Sequence, residues 1–209
     1  SEVVALNRDA QLVGGWNSTF TAPGGPSTID GQKARSGIVL GFNVTAIVDR
    51  FTIRNGFEVY GGGGIDMGVG SLTLINSTVT ANWAKRGGGG IYSGNGTLTI
   101  INSTISGNAT GEANYYSGTG AGGIYASNSV VWLRNVTVAN NLELGEWAPS
   151  AIKVSDPVGA VYLKNTLIAN NPPGRIAGSE CEGKIYSEGF NLIDDLAACP
   201  MTLVSGDQA

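Results

Sequence analysis

Four segments of the chain are written on one template: SLTLINSTVTAN at 71–82, TLTIINSTISGN at 97–108, VVWLRNVTVANN at 130–141 and AVYLKNTLIANN at 160–171. Each has an Asn at its centre (Asn76, Asn102, Asn135, Asn165) and a second Asn six positions later (Asn82, Asn108, Asn141, Asn171). The copies are spaced by 26, 33 and 30 residues. An internal repeat of this size limits the chain to a stack of similar units, each burying its apolar side against its neighbours. A weaker copy, VDRFTIRNG, ends near Asn55.

A glycine corner and an isoleucine precede each copy: GGGGI to Ile65, GGGGI to Ile91, AGGI to Ile124, and the degenerate PSAI to Ile152. From that Ile to the central Asn is 11 residues in the first three copies and 13 in the fourth. Length variation falls after the second Asn, as in ATGEANYYSGTGAG, so one segment of each unit is an elastic loop.

Apolar residues alternate with Thr, Ser, Arg and Lys: Leu72, Leu74 and Val79 recur as Leu98, Ile100 and Ile105, as Val131, Leu133 and Val138, and as Val161, Leu163 and Ile168. Period 2 gives one face in and one face out. Short strands joined at Gly and Asn corners, with no sustained 3.6 period, predict an all-β fold: a single right-handed parallel β-helix of about seven coils. One domain spans 1–209, with N-terminal coils at 1–45, repeat coils at 46–171 and a C-terminal coil and cap at 172–209. Like residues then stack at about 4.8 Å. The Gly and Asn corners are expected to tolerate positive φ, and both Asn columns are expected to bond from coil to coil as ladders.

The motifs GGGGIYSGNGTLTIINSTISGN, GGWNSTFTAPGGPSTIDG, FTIRNG and YSEGFNLIDD, the last flanked by Cys181 and Cys199, resemble bacterial parallel β-helix proteins of the choice-of-anchor and polymorphic-outer-membrane-protein kind. The likeness covers nearly the whole chain. It implies a secreted or surface-anchored structural or adhesive module, and it carries over no catalytic residue.

Composition narrows the chemistry. There is no His, so the commonest general base and neutral metal ligand are missing. The net charge of −4 gives no electrostatic reason to bind nucleic acid. No run of 18 apolar residues offers a membrane span. Cys181 and Cys199 are read as a disulfide, the alternative being two free thiols; a disulfide places the chain outside the cell or on its surface. The start at Ser1 suits a mature secreted protein or a piece of a longer one.

No cofactor and no metal is expected. GTGAGG at 118–123 has no helix after it to hold a phosphate, GGGGID at 61–66 lacks the successive Asp of a calcium repeat, and GGGG at 87–90 has no following Lys. Of seven sequons, those at Asn76, Asn102, Asn108 and Asn135 fall on ladder positions, leaving Asn17, Asn43 and Asn95 open to glycosylation. Contacts with a protein partner or a cell-surface glycan are expected at Trp83, Tyr92, Tyr115, Tyr116, Tyr125 and Trp147, aromatics on the outer face or in the elastic loops.

The rival reading is a polysaccharide-active enzyme. It requires paired carboxylates on neighbouring coils. The columns read as Asp66, Tyr92, Tyr125, Lys153 and as Asp49, Asn76, Asn102, Asn135, Asn165 contain no such pair; Asp30 and Asp49 meet only if the first coils stack tightly. A non-enzymatic role is therefore expected, and a third expectation is a subunit of a larger assembly. Outward threonines, Thr73 with Thr99 and Thr78 with Thr104, suggest an ice-binding array, set aside because Trp132 interrupts it after two coils.

Overall fold

The computed structural model describes residues 4–112, 120–145, 149–172, 179–199 and 201–209. Its elements are all strands, paired in parallel as a right-handed β-helix. Two faces are each seven strands deep, from Val4–Leu6 to Cys181–Glu182 on the first and from Ser27–Asp30 to Leu192–Ile193 on the third. Seven stacked strands enclose about six turns, one fewer than expected from the sequence.

One coil shows how the template folds. Strand Ile65–Ile75 covers the first and second faces, bending at its middle; Asn76 turns the corner; Thr78–Thr80 forms the third face; Ala81 turns again; and the two-residue strand Trp83–Ala84 leads into the variable loop. The alternation buries Ile65, Met67, Leu72, Leu74 and Val79 completely or nearly so. Each stands in a column of like residues. Ile38, Ile65, Ile91, Ile124, Ile152 and Cys181 form one; Val79, Ile105, Val138, Ile168 and Ile193 form another.

The glycine corners work differently from the expectation. Gly62 and Gly88 do not have positive φ. A Cβ on either would lie 1.7 or 1.8 Å from the carbonyl oxygen of Ile65 or Ile91, so these two positions need glycine for close approach of backbone to backbone, whereas Ala121 pairs with Gly88 on the next coil. Positive φ occurs in the glycine corner at Gly87 (139°) and recurs coil after coil on the two other corners. The first is turned by Arg50, Asn76, Asn102, Asn135 and Asn165, with φ between 49° and 62°, and the second by Asn55, Ala81, Gly107, Asn140 and Asn170, with φ between 52° and 65°.

The two Asn columns differ in burial. Asn82, Asn108, Asn141 and Asn171 are at most 2% exposed. The side-chain amide of Asn82 donates to Asn108 Oδ1 (2.9 Å), Asn108 to Asn141 (3.0 Å) and Asn141 to Asn171 (3.0 Å). The same oxygens accept the backbone N–H of the preceding rung, and each amide also donates to a carbonyl such as Val79 O (3.0 Å). Asn76, Asn102, Asn135 and Asn165 are exposed. They are linked amide to amide on the outside of the corner, Asn135 donating to Asn102 at 2.9 Å.

One register assignment changes. Asp49 pairs with Ile75, so Arg50 and not Asp49 takes the place of Asn76, although Asp49 Oδ1 still accepts the Asn76 amide at 2.9 Å. Asn55 turns the second corner, and Gly56 occupies the position of Asn82, its N–H donating to Asn82 Oδ1 at 2.7 Å. The C-terminal end is closed by the disulfide Cys181–Cys199, by Cys181 N–H donating to Ala198 O, and by the tail, whose Gln208 pairs with Leu192. Closing this short loop contributes about 3 kcal/mol in the chain-entropy picture.

Burial sorts the columns by energetic weight. Asn108→Ala, which strands the Asn82 donors and the Val79 carbonyl, is expected to cost about 3–5 kcal/mol. Asn102→Gly keeps a residue suited to positive φ and is expected to cost at most about 1 kcal/mol. Denaturant unfolding of the two variants checks the order, and equal costs would contradict it.

Candidate functional site

The inner positions are filled by the core, so any site must be built from outward residues. On the first face the register runs Val39, Asp66, Tyr92, Tyr125, Lys153, Glu182, in agreement with the column read from the sequence. The rings of Tyr92 and Tyr125 lie 5.5 Å apart and tilted. The Tyr125 hydroxyl bonds Ser155 Oγ at 3.0 Å, and Lys153 pairs with Glu182 at 3.1 Å.

The second face carries a longer aromatic column that sequence reading missed. Trp132, Tyr162 and Tyr186 occupy one register position. Their rings stack at 4.3 Å and 5.3 Å. The Arg134 guanidinium lies 5.6 Å from the Trp132 ring centroid and reaches Glu188 at 3.6 Å. Tyr186, 46% exposed, ends the column beside a cavity of about 540 Å³ lined by Lys184, Ile185, Met201 and Val204. The signal was present: Trp132 and Tyr162 each stand three positions before the central Asn of their copy.

Trp83 is half-buried. Its ring lies 5.1 Å from that of Phe57 and its Nε1 donates to Gly111 O at 2.9 Å, so it pins the loop to the coil while lining a cavity of about 380 Å³ with Lys33, Phe57 and Ala81. Tyr115, Tyr116 and Trp147 lie outside the described residues.

The carboxylates group otherwise than the sequence suggested. Asp30 is held by Arg54 (3.0 Å), Asn55 and the Gln32 N–H, while Asp49 bonds Arg50 and Asn76. They lie at opposite ends of the third-face strands, about 13 Å apart along a four-residue strand. Asp66 instead faces Glu58, brought to it across the corner. Burial pushes the Asp66 carboxyl up to about 6, and the Glu58 charge adds to the rise. Only the folded corner, with Gly61 packed against the Asp66 carboxylate, makes these two neighbours.

A second acidic pair terminates the buried Asn ladder. Glu180, 3% exposed, stands where the next Asn would be, and its Oε1 accepts the Asn171 N–H at 2.8 Å. Its Oε2 is buried without a donor, in a pocket of about 180 Å³ that it lines with Asn170, Asn171, Asp194 and Asp195. Burial pushes the Glu180 carboxyl up to about 7, with Asp194 raising it further and the Asn171 N–H opposing. In the neutral state the carboxyl matches an amide: one oxygen accepts and the other donates.

Among the described residues no helix is long and apolar enough to cross a membrane. Comparison of the chain with protein-family models, curated proteins and solved structures finds no match. The fold stands on the stacked coils alone: the chain is a parallel β-solenoid.

The sign of the Glu180 effect is fixed by its rise above the ordinary 4.5. The folded state holds a proton that the unfolded state releases, so this stabilisation is complete below about pH 4.5 and lost as pH rises through about 7. Glu180→Gln, a neutral isostere, is expected to raise the melting temperature at pH 8 and to flatten its dependence between pH 5 and 8. A variant whose pH profile matched the parent's would remove Glu180 from this role.

Proposed function

We propose that this chain is a non-catalytic structural or adhesive module, outside the cell or on its surface, that contacts a protein or a glycan through outward aromatics and variable loops. The Trp132–Tyr162–Tyr186 column carries the reading. Stacked rings on a rigid sheet present a large amphipathic edge with little entropy left to lose on binding. The disulfide fits an oxidising compartment. The resemblance to choice-of-anchor and polymorphic-outer-membrane-protein modules points the same way, and a place as a subunit in a larger assembly is compatible with it.

A second reading, a polysaccharide-active enzyme, is favoured by one observation: Asp66, its carboxyl raised to about 6 beside Glu58, is suited to give and take a proton near neutral pH. The first reading predicts that Trp132→Ala with Tyr162→Ala abolishes retention on a glycan array or on native cell envelopes while melting stays cooperative. Assays on acidic and neutral polysaccharides separate the second. Cleavage by the parent that is lost in Glu58→Gln and Asp66→Asn would establish the enzyme and displace the adhesive reading.

A further inference from the structure

The third face carries a threonine column longer than the sequence alone revealed. Thr28, Thr52, Thr78, Thr104 and Thr137 occupy one register position on five successive coils. Trp132 interrupts a different column, that of Thr73 and Thr99 on the second face. The reason for setting the array aside therefore applies to the second face and not to the third.

The threonines lie within a wider array. Two residues after them on the same strands come Asp30, Arg54, Thr80, Ser106 and Ala139, the first two an ion pair at 3.0 Å, and Leu167 and Ala169 continue the two columns on the next coil. Two residues before them stand the exposed Asn76, Asn102 and Asn135, whose amides are tied from rung to rung and so fixed at the rung spacing. From Asn76 to Ala169, across four coils, the outward residues of these three columns carry no charge and no ring.

Geometry then sets the repeat. Rungs are about 4.8 Å apart, and outward residues on one strand are about 6.7 Å apart, giving a nearly rectangular lattice of hydroxyls and methyls, bordered at the corner by the Asn amides. This rectangle is close to that of the oxygen atoms on a prism face of hexagonal ice. Threonine suits such a surface because its β-branched side chain is held to few rotamers, so each hydroxyl and methyl keeps its place.

We propose that this face binds ice, with the threonine column as its centre. Area and charge argue against a protein in the same place. The four uncharged rungs by three columns span about 200 Å², about a quarter of what one side of a standard protein interface buries, and these coils offer no charged or aromatic anchor of the kind that carries protein recognition. A crystal face needs neither, because it is itself uncharged and repeats with the rungs. The adhesive reading draws on the aromatic columns of another face, so either stands without the other.

The experiment uses the full chain, with freezing-point hysteresis and inhibition of ice recrystallisation as readouts, and Thr104→Tyr as the test variant. Position 104 points outward, so the variant is expected to keep the parent's melting temperature and lose both activities. Tyr162→Ala, on the second face, is expected to keep them. Absence of hysteresis and of recrystallisation inhibition in the folded parent, or their survival in Thr104→Tyr, would overturn the proposal. Retention on insoluble cellulose or chitin that Thr104→Tyr loses, without ice activity, would overturn it in favour of a crystalline polysaccharide.

Discussion

A solenoid must turn its backbone inside its own wall, and the turn after the third face leaves N–H and C=O groups where water cannot reach them. The ladder from Asn82 to Asn171 resolves this with one side chain per coil: the oxygen accepts the backbone and amide donors of the rung before, and the nitrogen donates to a carbonyl and to the rung after. A buried unpaired polar group costs about 1–3 kcal/mol, so each rung depends on its neighbours. Both ends of the ladder must be closed by something else. Gly56 closes the first with its backbone N–H, and Glu180 the second with a carboxyl that works as an amide while it holds its proton.

Because stacking fixes the inner positions, the outward ones are free to differ between faces. Tyr92 and Tyr125 mark the first face, Trp132, Tyr162 and Tyr186 the second, and five threonines the third. A substitution at any of these leaves the core columns intact. One scaffold thus presents an aromatic edge and a charge-free lattice side by side, and selection can act on each separately.

Core columns were legible in the sequence because their period within the template is constant: Leu72, Leu98, Val131 and Val161 align by counting. The buried Asn column was legible for the same reason. What failed was register outside the clean copies. In the first coils no central Asn marks the corner, so Asp49 was placed where Arg50 stands. The threonine column suffered from the same gap, since Thr28 and Thr52 belong to strands the template does not describe. The Asp66–Glu58 pair was illegible for another reason: it forms across a corner between a strand and the short strand before it, and counting within a copy does not reach it.

The glycine corner explains why insertions are confined to one place. At Gly62 and Gly88 an added Cβ would come within 1.8 Å of the carbonyl oxygen of Ile65 or Ile91, so on these two coils the stretch lies hard against the strand that follows. Register through this stretch is held by backbone hydrogen bonds from coil to coil, Ile65 N–H donating to Gly90 O, Ile91 N–H to Gly123 O and Ile124 N–H to Ala151 O. The corner therefore separates the elastic loop from the strand that follows, and Ile91, Ile124 and Ile152 stack in line although the spacing between coils differs. Loops can then vary with a partner while the faces keep the strict repeat that an ordered lattice requires. The backbone ladder through the corner, kept even where Ala121 and PSAI replace glycines, is what lets one chain do both.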